Sequence, residues 1–149
     1  MKKFLLAVLA PCLGLAGTTA AAAGLFSATG TVIAILAGEL YLGEAEGHLS
    51  GAGTLAIHSQ KTPALTCVGQ FTSTAALGGT GQLQCSDGAT ATFHFQRLSA
   101  LRGYGVGEFS RGSMSFAYGI PAEDSAPYLK LPAGKKLLNN GTELTLADE

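Results

Sequence analysis

A Gly-x-Gly-x-apolar unit recurs three times along the chain, as GAGTL at 51–55, GTGQL at 79–83 and GVGEF at 105–109, and each copy is followed by a turn and a run of larger side chains. Two glycines on one face of an extended segment leave bare backbone that only large side chains on a neighbouring strand can cover. The repeat therefore predicts antiparallel hairpins with a small first strand and a bulky second one.

The segment GTGQLQCSDGATATFHF at 79–95 sets the register in detail. Period-two alternation puts Gly81, Leu83 and Cys85 on one face, and Ala89, Ala91, Phe93 and Phe95 on one face after the turn. A three-residue loop Ser86-Asp87-Gly88, with Asp87 capping the turn backbone, pairs Cys85 with Ala89, Leu83 with Ala91 and Gly81 with Phe93. Around the STAALGG turn, Cys67 falls opposite Cys85, Gly69 opposite Leu83 and Phe71 opposite Gly81, so Cys67 and Cys85 are expected to form a cross-strand disulfide. In the third unit a two-residue Arg111-Gly112 loop would set Phe109 opposite Met114, Gly107 opposite Phe116 and Gly105 opposite Tyr118.

Upstream, TGTVIAIL (29–36) turns at Ala37-Gly38 into ELYLGEAEGHLSGAGTLAIHS (39–59), whose odd positions from Gly43 to Ile57 are all small or apolar. This stretch is one long bent strand or two strands joined at a glycine kink. Seven or eight strands between about 29 and 119 make an all-β antiparallel meander that closes into a small barrel or stays half open. Its other face carries Gln82, Gln84, Thr90, Thr92, His94, Ser113 and Ser115, too polar for the lipid-facing wall of an outer-membrane barrel, so a soluble barrel is expected.

Before the barrel, MKKFLLAVLAPCLGLAGTTAAAAGLF has a basic start, a short apolar run and small residues at Ala21-Ala22-Ala23, the parts of a cleaved secretory signal spanning 1–23. The apolar run is too short to span a bilayer, which takes about 20 residues. Cys12 offers a lesser alternative, lipidation, which Pro11 before it disfavours. The remaining 126 residues divide into a barrel at 24–119 and a loop-rich extension at 120–149, where Pro121 can start a short helix and Asn140-Gly141 a hairpin. Removal of the signal leaves two cysteines, an even number suited to an oxidising compartment, and the expected location is periplasmic or secreted.

Seven basic against ten acidic residues in that mature chain leave no basic stripe for nucleic acid. His48, His58 and His94 form no ligand motif; the first two would sit ~33 Å apart on a straight strand, so no metal and no other cofactor is expected. The chain has no G-x-S-x-G, and its G-x-G units lack the Lys-Ser/Thr of a phosphate loop. Glu44 and Glu46 alternate outward on one strand, where paired acid-base work is possible but an exposed strand face is the commoner reason for such a pattern. No catalytic residue is therefore assigned, and the chain is expected not to be an enzyme. The one candidate binding rim is in RLSALRGYGVGEFSRG (97–112), where Arg97, Arg102, Tyr104 and Arg111 could contact an anion or sugar at one barrel end.

The signal peptide together with GTGQLQCSDG and RGSMSFAYG resembles small exported proteobacterial proteins grouped as domains of unknown function, over roughly residues 47–119. That resemblance implies an envelope location and a compact β-domain, and it carries no catalytic residues across. A looser similarity to periplasmic lysozyme-inhibitor barrels rests on export, size and a disulfide. The expected function is a non-enzymatic binding or structural barrel of the bacterial envelope, with an unknown protein or envelope component as partner and no transmembrane segment after signal cleavage. The alternatives are a periplasmic carrier of a small apolar ligand and an inhibitor-like protein. The inward glycines and alanines either leave space for such a ligand or let the strands close up and fill the barrel.

Overall fold

A computed structural model describes residues 27–74 and 77–149. The expected signal at 1–23 and the lipidation alternative at Cys12 lie outside these residues. Eight strands follow one another as a meander: β1 Ser27–Leu36, β2 Glu39–His48, β3 Ala52–Ser59, β4 Thr66–Thr74, β5 Gly78–Cys85, β6 Thr90–Ser99, β7 Arg102–Phe109 and β8 Gly112–Tyr118. Each pairs antiparallel with the next, and β8 returns to β1 from Val32↔Tyr118 to Leu36↔Met114, which closes the barrel. Closure leaves the meander without an edge strand to protect.

The pairing of β4, β5 and β6 is the one derived from the cysteine and glycine positions: Cys67↔Cys85, Phe71↔Gly81, Gly81↔Phe93 and Leu83↔Ala91. Cys67 and Cys85 are joined in a disulfide. Asp87 Oδ1 accepts the Ala89 N–H at 3.0 Å, so the Ser86-Asp87-Gly88 turn is capped as its sequence predicts. The 39–59 stretch is two strands, but Leu49–Gly51 reverses the chain rather than kinking it, with Gly47↔Gly53 and Ala45↔Leu55 in register. His48 and His58 thus lie at opposite ends of the barrel.

One register differs from expectation. The β7–β8 loop is Ser110-Arg111, not Arg111-Gly112, so the pairs are Phe109↔Gly112, Gly107↔Met114, Gly105↔Phe116 and Gly103↔Tyr118. Gly112 takes φ 150°, where glycine is at ease, and closes the turn at the first residue of β8. The slip is two residues, so every side chain keeps its face and the aromatic rings still cover glycines.

A meander puts alternate turns at opposite ends. At one end, the turns after β1, β3, β5 and β7 surround a filled interior: Leu36, Tyr41, Ile57, Cys67, Cys85, Ala89 and Phe109 are all buried and pack together. At the other end lie the start of β1, the turns after β2, β4 and β6, and the exit of β8. The outer wall of β3 to β6 is polar and exposed at Thr54, Gln70, Gln82, Gln84, Thr90, Thr92 and His94. An apolar interior inside a polar wall is the reverse of a membrane-spanning barrel. Among the described residues no helix is long and apolar enough to cross a membrane.

The 120–149 extension does not trail away. After helix α1 (Ala122–Ser125) and a 3-10 turn (Ala126–Tyr128), the hairpin β9 (Lys135–Asn139) and β10 (Leu144–Asp148) forms its own two-stranded sheet. Ile120, Leu129 and Leu144 are buried with the outward-facing Ile33, Ile35, Leu40 and Ala117. The buried Ser115 Oγ accepts the Lys130 N–H at 2.7 Å across this second core. The apolar run VIAIL in β1 is explained by this arrangement: its even positions face the barrel and its odd positions face the extension, so both sides are buried.

Candidate functional site

The inward row of each strand decides whether the barrel is filled or hollow. In the half away from the filled end, whose packed side chains plug the barrel, Phe71, Phe93, Phe95, Phe116 and Tyr118 come from β4, β6 and β8, and the strands between them present glycines. A Cβ placed at Gly81 would strike the Phe93 ring, and one at Gly105 the Phe116 ring, so the rings lie flat against bare backbone. They also lock one another: Phe71 meets Phe95 edge-on at 5.7 Å between centroids, Phe93 meets Phe116 at 5.2 Å, and Phe95 meets Tyr118 at 5.9 Å. Such contacts are worth ~0.5–1.5 kcal/mol each beyond the area they bury.

Strands β1 and β2 answer this aromatic wall with Ala28, Gly30, Ala45 and Gly47. No ring is folded onto Gly30, where the nearest atoms to an added Cβ are backbone at 3.7 Å and beyond. Rings on one side and small residues on the other leave a cavity of about 390 Å³, floored by Val32, Leu55 and Met114 above the plug. This lies within the ~300–1,000 Å³ of ordinary ligand pockets and far exceeds the ~30 Å³ share of one water. The choice left open by the glycine-rich sequence is thus settled in favour of space.

The mouth of the cavity is lined by His48, Leu49, Ser73, Arg97, Ala100 and Leu101. Three turns at this end expose Leu49 (81%), Leu77 (79%) and Leu101 (56%), with Leu98 beside them. Arg97 continues the inward row Ala91, Phe93, Phe95 of β6. Its guanidinium donates from Nη2 to Ser73 Oγ at 2.6 Å and from Nη1 to the Ala100 carbonyl at 3.2 Å. Its Nε–H is buried without a hydrogen-bond partner. Burial raises the pKa of the Tyr118 hydroxyl, the charge of Arg97 opposing that shift, so the phenol at this wall is neutral at physiological pH.

The structure does not gather the four residues of the sequence-derived rim. Arg97 is in the mouth, and Arg102 is exposed at the same end, at the first position of β7. Tyr104 points outward, stacks on Tyr128 of the extension at 4.7 Å and donates to Gln96 Oε1 at 3.1 Å. Arg111 is at the plugged end, paired with Asp87 and lying over the Phe109 ring at 5.4 Å. The Ala89 N–H and the Arg111 guanidinium together hold the Asp87 carboxyl below its usual range.

Two adjacent arginine-bearing turns of a meander necessarily face opposite ways, a rule that separates Arg111 from Arg97 and Arg102. Sequence reasoning missed the rest of the mouth, although Arg97 follows the inward parity of Phe93 and Phe95 and could have been placed inside by extending that row. A second hollow on the outer wall, bordered by Glu44, Glu46, Gln70, Gln82 and Gln84, is lined mostly by exposed side chains. Among the described residues no three His, Cys, Asp or Glu side chains converge as metal ligands.

The fold and site define a class: a closed eight-stranded meander barrel, plugged at one end, with a ligand-sized apolar cavity opening at the other. No family model, curated protein or solved structure matches the chain. The functional reading rests on the geometry itself.

Proposed function

We propose that this protein is an exported, non-enzymatic binding protein that carries a small apolar ligand inside its barrel. The cavity carries the reading: about 390 Å³ walled by Phe71, Phe93, Phe95, Phe116 and Tyr118 and open at one end. Water in so apolar a space makes few hydrogen bonds, so an apolar ligand that displaces it gains free energy from the buried area. A preformed wall of interlocked rings loses little conformational entropy on binding.

Titration with a neutral arylnaphthylamine dye, whose emission rises in apolar surroundings, tests this directly. The protein contains no tryptophan, so the dye signal is free of interference. Saturable one-to-one binding is expected, abolished by Ala45→Phe, which places a ring in the space facing the aromatic wall. Absence of saturable binding, or equal binding by a folded Ala45→Phe variant, refutes the proposal.

A further inference from the structure

Taking the carrier reading as its base, we infer that the ligand is a single-chain amphiphile with an anionic oxygen head, of which a carboxylate is the simplest, bound with its tail toward the plug and its head on the Arg97 guanidinium. The inference comes from what surrounds that guanidinium. Arginine stays charged at any physiological pH. Among the described residues Arg97 has no carboxylate within ion-pair distance, and its two hydrogen bonds go to neutral acceptors, Ser73 Oγ and the Ala100 carbonyl. Ser73 Oγ donates in turn to the Gly51 carbonyl at 3.1 Å, so the hydroxyl is held in place and the guanidinium with it. Three of the five guanidinium N–H groups remain: one on Nη1, one on Nη2, and Nε–H, which is buried without a protein partner.

A buried donor on a charged group left without an acceptor costs more than an ordinary unmade hydrogen bond. A carboxylate at this guanidinium supplies the missing counter-charge and an acceptor for N–H groups the protein leaves free, in the charge-assisted geometry for which guanidinium is suited. The described turns of the open end, Leu49–Gly51 and Ala100–Leu101, contain no acidic residue that would compete for Arg97 or repel an incoming anion. The polarity is also consistent along the axis: the cation is at the mouth, and the floor at Val32, Leu55 and Met114 is apolar. At ~30 Å³ per water-sized group the cavity holds about a dozen non-hydrogen atoms, which sets the tail at medium length.

Displacement of the neutral dye by decanoate and by decanol separates the two levels of the argument. Decanoate should displace it at roughly tenfold lower concentration than decanol from the wild-type protein, although the alcohol is the more apolar of the two. In Arg97→Gln the preference should vanish or reverse, with the decanol affinity changed less than about threefold. Equal displacement by the two compounds in the wild type, a comparison that needs no variant, overturns the assignment of the head group. So does a preference for decanoate that survives Arg97→Gln. Failure of the dye and of both chains to bind the wild type overturns the carrier reading, and this inference with it.

Discussion

Reducing the Cys67–Cys85 disulfide should cost about 3 kcal/mol, and the structure allows the source of that loss to be isolated. The two residues are 18 apart in sequence and directly opposed across β4 and β5, so the bond closes a loop whose entropy in the unfolded chain falls by an amount equivalent to ~3 kcal/mol. Cys67 and Cys85 are 0% and 4% exposed, and reduction removes no heavy atom, although the two thiol sulfurs must part to van der Waals distance. No cavity opens, unlike a Cys-to-Ala exchange, so the largest contribution is the entropy restored to the unfolded chain, with crowding of the two buried thiols adding to it. For a domain of this size the loss corresponds to a fall in Tm of about 10–15 °C. The measurement is urea unfolding of the oxidised protein against protein reduced in denaturant and refolded under reductant. A difference below about 1 kcal/mol would refute the reasoning, because it would mean that the open chain already holds β4 against β5 when unfolded.

Ala37 has φ 49° in the Ala37-Gly38 turn, a left-handed conformation that asparagine tolerates better; Ala37→Asn should raise stability by ~0.5–1 kcal/mol, read as a higher Tm. Ser115→Ala removes the acceptor of the Lys130 N–H and should cost ~1–2 kcal/mol, with faster amide exchange confined to 120–149 as the sign that the extension has loosened. A chain ending at Gly119 bares Ile33, Ile35, Leu40 and Ala117 and should self-associate in analytical ultracentrifugation, whereas the full chain should not. The Asp87 pKa is lowered on folding, so its contribution is present above the unfolded carboxylate range near ~4 and is lost as pH falls through the lower folded value. Asp87→Asn should flatten that acid limb of the stability profile while retaining the turn.

The parts of this fold that were legible in the sequence are those where a period-two pattern met a marker with only one place to go. Two cysteines, a capped Asp-Gly turn and a ring opposite a glycine fix β4, β5 and β6 to the residue. The β7–β8 pairing has only parity to guide it, and parity is unchanged by a slip of two, so the expected pairs are two residues out and the turn one, while every face is right. Whether the barrel was full or hollow could not be read from the same pattern. Gly81 and Gly30 look alike along the chain, yet one lies beneath a ring and the other lines the cavity with no ring upon it, because the difference depends on which strands stand across the barrel. The extension hid its role for a similar reason: VIAIL in β1 reads as a buried strand, without showing that two of its five side chains, Ile33 and Ile35, await residues more than eighty positions away.

The plug turns the barrel into a cup rather than a pipe. Whatever enters at the leucine-edged mouth must leave by the same mouth, so uptake and discharge compete for one doorway and nothing passes through. The plug also divides the molecule's labour along its axis. The disulfide and the tightest packing secure foldedness at one end, while Arg97 and the small residues of β1 and β2 set the shape and charge of the space at the other. On the carrier reading, changes around the mouth would alter which molecule is held while leaving the means by which the chain holds itself together largely untouched.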